Sequence, residues 1–301
     1  MKKIILLDGG MGQELIKRSK SAPHPLWSAQ VLKNEPELVE NLHIDFIKAG
    51  ARVISLNSYT ATPERLDRDG AKGMFNELQE KAIEVANRAR DYCKIADVKI
   101  AGCLPPLYGS YKPESAPSLE ECIERYQVIS NKQAPHVDLF ICETMSSVKE
   151  AEASIIAARF HSMETWCSLT ISDQSDSRLR SNEPLKTAIT HLNKFNHQAN
   201  LLNCSIPESI TVALNCLMNG KKLFGAYANG FTSINELEIG GTVDVLKSRQ
   251  DLVPEAYLQH VMGWIESGAR IVGGCCEISP QHIKHIYETL SKLDYEVVSS
   301  L

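Results

Sequence analysis

Apolar residues along the chain fall into two alternating patterns. Short β-branched and apolar runs occupy residues 3–8, 52–57, 99–104, 139–143, 165–171, 200–204, 223–229 and 270–275. Several are apolar almost throughout, as expected of strands covered on both faces. Between them lie longer stretches with helical spacing. One begins near Asn34, carries Glu-Pro-Glu in its first turn, sets Leu38, Leu42 and Phe46 on one face and ends at Gly50. Others span about 72–92, 118–134, 148–160, 184–195, 207–218, 254–267 and 280–290, with Ser118 and Glu121 spaced as a capping box. Strand and helix in strict alternation predict parallel strands with helical crossovers. Eight of each is the count of a (β/α)8 TIM barrel, a single α/β domain over residues 1–301. An open doubly wound sheet is the second choice.

The longest connections, 61–71, 105–117, 172–183 and 230–252, all follow strand ends. In a barrel these loops build the active-site face. They therefore read as substrate-covering loops, not as domain boundaries. No internal repeat or low-complexity linker interrupts the pattern.

Composition narrows the function classes. The 301 residues carry a net charge of −5 with no basic block, which argues against nucleic acid as a partner. No apolar run reaches the roughly 18 residues of a membrane span. The apolar start is cut short at Asp8-Gly9-Gly10, which favours a first strand over a secretory signal and a cytoplasmic location. In that compartment nine cysteines predict free thiols, metal ligands or catalysis, not disulfides. Oligomeric state leaves no mark on the sequence.

The strongest local signal is Gly273-Gly274-Cys275-Cys276 at a strand end, with Cys204 closing another strand. The two glycines let the backbone turn so that both sulfurs face one point. In a barrel the sixth and eighth strand ends lie on one rim, so three thiolates converge with a fourth tetrahedral position open. That is the pattern of a catalytic zinc site. For any one of these cysteines alone, simple burial is the plainer reading. Asp8 and Glu143 also close strands and suit a substrate ammonium, or else capping and ion pairing. The amides after Asp8, in the Gly9 region, lead into a helix start and suit a carboxylate. Asn57 and Ser58 with Tyr59, and Asn229 with Tyr227, stand where they orient a polar substrate or simply bond within loops. His43, His191 and His260 fall on helices, where surface or packing roles suffice. Trp27 is either a lid residue or a packing anchor.

Several segments together resemble the homocysteine S-methyltransferases. They are Leu6-Leu7-Asp8-Gly9-Gly10-Met11-Gly12-Gln13-Glu14-Leu15, Leu26-Trp27-Ser28-Ala29, Ser58-Tyr59-Thr60-Ala61-Thr62-Pro63, Cys142-Glu143-Thr144, Asn203-Cys204-Ser205, and Gly273-Gly274-Cys275-Cys276 with Ser279-Pro280. They run in order over nearly the whole chain. The resemblance implies a zinc-dependent barrel that methylates homocysteine to methionine. It implies Cys204, Cys275 and Cys276 as zinc ligands, Asp8 and Glu143 at the amino group, and the Gly9 region at the carboxylate.

A chain of this length suits the stand-alone branch, whose small-molecule donors are S-methylmethionine or S-adenosylmethionine, with betaine a weaker option. Leu104-Pro105-Pro106-Leu107-Tyr108-Gly109 and Tyr227-Ala228-Asn229-Gly230 depart from the family pattern, as does the segment 232–241. These departures leave open a different thiol or selenol as acceptor, or a non-catalytic barrel that binds zinc and a thiol metabolite. A redox role for Cys275-Cys276 is disfavoured, because neighbouring cysteines make a strained disulfide.

Overall fold

The first strand shows why the sheet curls into a ring. Ile5 and Leu7 point inward and join Val53, Ala101, Ile141, Trp166, Leu201, Tyr227 and Ile271 in one buried cluster. Ile4 and Leu6 point outward into the larger apolar layer shared with the helices, as the two-residue period of a strand dictates. The structure is a computed structural model and describes residues 1–301 except 175 and 219.

The strands are β1 (Lys2–Leu6), β2 (Val53–Ser55), β3 (Lys99–Leu104), β4 (Leu139–Met145), β5 (Glu164–Leu169), β6 (Ala199–Asn203), β7 (Leu223–Tyr227), β8 (Ile271–Val272) and β9 (Tyr295–Val298). They pair in parallel in the order β2-β3-β4-β5-β6-β7-β8-β1-β9. The ring closes where Leu7 bridges Val53, with Asp8 N–H donating to the Val53 carbonyl at 3.0 Å and Arg52 N–H to that of Leu6 at 2.8 Å. The expected (β/α)8 barrel is therefore the fold. The helices are α1 (Met11–Arg18), α2 (Trp27–Asn34), α3 (Pro36–Ala49), α4 (Pro63–Arg68), α5 (Phe75–Cys93), α6 (Leu119–Gln133), α7 (Val148–Arg159), α8 (Leu185–Leu192), α9 (Pro207–Ala213), α10 (Asn215–Met218), α11 (Pro254–Glu266) and α12 (Pro280–Lys292).

Most boundaries agree with expectation and some are corrected. Ser118 caps α6 by accepting from the Glu121 N–H at 3.2 Å. Asn34 ends α2 instead of capping α3, whose first residue is Pro36 with Glu35 before it. The expected helix over 207–218 is broken at Leu214 into α9 and α10. Strand β9 was not expected. It pairs with Lys2–Ile5 of β1 and fills the gap below the β1–β2 bridge, placing Val298 in the interior cluster. No helix among the described residues is long and apolar enough to cross a membrane.

Candidate metal centre

The two barrel turns that carry the cysteines are shaped by close approach. A Cβ on Gly274 would overlap the Ile278 side chain, and one on Gly273 would crowd Leu7. Neither glycine has a positive φ, so the glycines that let this backbone turn are required for space and not for a left-handed conformation. The turn is then pinned from three sides. Gly274 N–H donates to the Asp8 carbonyl and Cys275 N–H to that of Ala228, both at 2.9 Å, and the Cys276 carbonyl accepts from Gly230 N–H at 2.9 Å. Tyr257 adds its hydroxyl to the Gly273 carbonyl at 2.7 Å.

Cys204 follows β6 with a φ of 50°, a conformation that costs a non-glycine residue roughly 1–2 kcal/mol. Its neighbours hold it there. Its carbonyl accepts from the Thr170 hydroxyl at 3.2 Å, and Ser205 Oγ takes the Ile171 N–H at 2.9 Å. Asn203 reaches across to the Glu143 turn, accepting from Thr144 N–H at 3.1 Å and donating to Thr144 Oγ1 at 2.9 Å. Asn203 and Ser205 were noted from sequence only as part of the Asn203-Cys204-Ser205 motif, and Thr170 not at all. Apart from that motif, their place beside or across from a strand-end cysteine was the signal.

The Sγ atoms of Cys204, Cys275 and Cys276 all lie within 4.8 Å of one another. Cys204 and Cys276 are buried and Cys275 is half-buried. The structure joins Cys204 and Cys275 in a disulfide, Cα–Cα 5.7 Å, and leaves Cys276 free. The other cysteines are free thiols, so there is no disulfide framework among the described residues. The sulfur paired with that of Cys275 belongs to Cys204, just after β6, and not to the neighbouring Cys276 considered for a redox role. The disulfide and a bound cation are alternatives, since a metal needs the thiolates. Reduced, three soft sulfur donors facing one cavity fit a thiophilic metal ion with one coordination position left open. Burial and the nearby Glu277 charge push the Cys276 thiol up to about 12, so without a cation it stays protonated.

One cavity at the C-terminal end of the strands brings these sulfurs together with Asp8, Gly9, Asn57 and Glu143. Asp8 is buried and accepts from the Ser55 N–H at 2.8 Å. Burial outweighs that bond and, with the Glu143 charge, pushes its carboxyl up to about 8. Burial likewise pushes Glu143 up to about 7, against a hydrogen bond from the Cys103 thiol. Two carboxyls held up this way favour a cation brought between them. The N–H groups of Gly9, Gly12 and Gln13 at the start of α1 find no acceptor among the described residues, which suits an anion.

Other expected site residues fall outside the cavity wall. Ser58 is buried behind it and accepts from the Gln133 amide at 3.2 Å. Asn229 turns inward, where Oδ1 accepts from Phe231 N–H at 3.2 Å. Both residues lie past the ends of β2 and β7, where the strand period no longer sets which way a side chain faces. Asn57 does line the cavity, although its amide donates to the Ser28 carbonyl at 3.2 Å. Trp27 serves as both wall and anchor. Its ring N–H donates to Gln13 Oε1 at 3.0 Å, and it meets Tyr59 edge-on with centroids 6.1 Å apart. The histidines take packing or surface roles: His43 is fully buried and His191 pairs with Glu152.

The chain was compared with known proteins. A family model described as homocysteine S-methyltransferase matches residues 5–290. The homocysteine S-methyltransferase of Escherichia coli K12 is 29% identical, with 93% of each chain covered. The Bacillus subtilis homocysteine S-methyltransferase YbgG is 27% identical, covering 94% of this chain and 93% of that one. The metallated form of the homocysteine methyltransferase MmuM from Escherichia coli superposes with a TM-score of 0.80 at 26% identity, over 95% of this chain and 96% of that chain. With its model matched over nearly the whole length, this chain belongs to the homocysteine S-methyltransferase family.

Proposed function

We propose that the protein methylates the thiol of homocysteine, using a zinc ion held by Cys204, Cys275 and Cys276 and a sulfonium compound as donor. The observation that carries this reading is the convergence of three sulfurs within 4.8 Å on a cavity that Asp8 and Glu143 also line. Family membership and the metallated relative support it. All-sulfur donor sets suit zinc, and three protein ligands leave room for a substrate atom. Bound zinc supplies a substrate sulfur held as thiolate at neutral pH.

The chain's own groups do the rest. Asp8 and Glu143 receive the homocysteine ammonium through charge-assisted bonds, and the free amides at Gly9, Gly12 and Gln13 receive its carboxylate. This fixes the sulfur of the amino acid toward the three cysteines. Trp27, Tyr59, Tyr111 and Phe231 form aromatic walls of the same cavity, and ring faces attract a sulfonium. In the transfer, a lone pair of the homocysteine sulfur forms the new S–CH3 bond. The bond from methyl to the donor sulfur breaks, and its electron pair stays on that sulfur. The donor departs as a neutral thioether, so no acid is required. Holding nucleophile, methyl and leaving sulfur in line is the main contribution of the barrel.

The test is methionine formation from homocysteine with S-methylmethionine, S-adenosylmethionine and betaine in parallel, after reduction of the protein. The two sulfonium donors are expected to outperform betaine. Homocysteine binding without methionine from any donor would reject the reading.

A further inference from the structure

Arg65 is a buried cation with no carboxylate in contact, although the buried Glu150 feels its charge. It lies on α4, directly after the strand-end segment that supplies Tyr59, and is 5% exposed. One terminal nitrogen, Nη2, donates to the Pro106 carbonyl at 2.9 Å and to Ser110 Oγ at 3.4 Å. Nε is sealed from solvent with no hydrogen-bond partner, no bond from Nη1 is found among the described residues, and no carboxylate lies within 4.0 Å of the guanidinium. The other arginines near the cavity differ. Arg68 holds Asp69, Arg125 holds Glu64, and Arg180 holds Asp173. An arginine cannot shed its charge at any ordinary pH, so burial calls for an anion.

The guanidinium borders the same cavity as the three cysteines. It stacks on Tyr59, 5.3 Å from the ring centroid, and Tyr59 bonds to Ser110 at 2.9 Å. Tyr59 borders both Arg65 and Thr144 and meets Trp27 edge-on, so Arg65 sits beside the aromatic wall. With Nη2 spent on the loop and Nε sealed, Nη1 is the nitrogen left to give a carboxylate one charge-assisted hydrogen bond.

We propose that Arg65 receives the carboxylate of the methyl donor and so selects sulfonium compounds that carry an amino-acid or other carboxylate end. This rests on the sulfonium reading above. The aromatic wall then holds the positive sulfur and Arg65 the negative end of one molecule.

The experiment measures methyl transfer to homocysteine from S-methylmethionine, its carboxamide and trimethylsulfonium, on the reduced, metal-loaded protein and on R65Q and R65K. Wild type is expected to prefer S-methylmethionine over the carboxamide by about 100-fold in kcat/KM, the size of a lost charge-assisted pair. R65Q should lose about that factor with S-methylmethionine, chiefly in KM, and stay within about threefold of wild type with trimethylsulfonium. R65K should fall between. An equal loss with both donors would assign Arg65 to supporting the Pro106–Ser110 loop and overturn the proposal. So would no loss with either, or a wild type indifferent to the carboxamide. If R65Q does not fold, R65K decides: unchanged selectivity there overturns it. Absence of transfer from every donor by wild type would instead reject the function reading itself.

Discussion

Two buried carboxyls set the chemistry at the residue scale. Asp8 and Glu143 are raised to about 8 and about 7, chiefly by burial. A carboxyl raised in the folded state contributes stability fully below its unfolded pKa, and that contribution is lost as pH rises through 7 and 8. An ammonium placed between them reverses the preference and draws out their protons. Methionine is a suitable probe, because it has the amino-acid end without an ionisable thiol. Its binding near pH 7 is expected to release protons and to strengthen from pH 6 to pH 8. Calorimetry in buffers of different ionisation enthalpy measures this; proton uptake, or affinity falling over that range, would contradict it. From sequence, Asp8, Glu143 and the cysteines were readable because a strand-end position in a barrel points to the rim. Ser58 and Asn229 lie behind the cavity wall, because that position does not say which way a side chain turns. Arg65 escaped notice because it lies on a short helix within a loop, where an arginine ordinarily reads as surface.

At the element scale, the site depends on how strand ends are tied to one another. Cys204 keeps a positive φ because Thr170, at the end of β5, bonds its carbonyl, and Arg180 Nε reaches the same hydroxyl at 3.4 Å. Thr170→Val keeps the shape and removes the bonds. It is expected to destabilise the protein by about 1–2 kcal/mol and to lower metal affinity about tenfold. Denaturant titration and competition with a chelator measure the two effects, and a variant unchanged in both would show that Cys204 does not rely on this bond. None of this strain was legible from sequence, since nothing in Asn203-Cys204-Ser205 signals a left-handed residue. The strands themselves were legible, because apolar runs alternating with helical spacing leave few other topologies. Helix α2 was missed because its eight residues mix polar and apolar positions after a proline-rich loop.

Across the whole molecule, the barrel separates stability from chemistry. The cavity and the sulfurs sit at the C-terminal ends of the strands, and β9 pairs with the first residues of β1 at the other end. Its four residues carry only Val297 and Val298 as aliphatics, too short a pattern to stand out in the sequence. Yet Val298 completes the interior cluster, and Ser299 bonds Asp97 just before β3. Removing residues 295–301 is expected to cost about 3 kcal/mol, from lost apolar burial and an unpaired β1 edge. The truncated chain should still bind metal. An unchanged urea midpoint, or loss of the metal with the fold intact, would contradict this division.

The central claim is that the three cysteines hold zinc for methyl transfer to homocysteine. Its most direct test is to measure zinc and methionine formation on one reduced sample, with homocysteine and S-methylmethionine. The account predicts about one zinc per chain, with activity lost on chelation, restored by zinc and absent in a Cys276→Ala variant that no longer retains the metal. A metal-free preparation with full activity would contradict it.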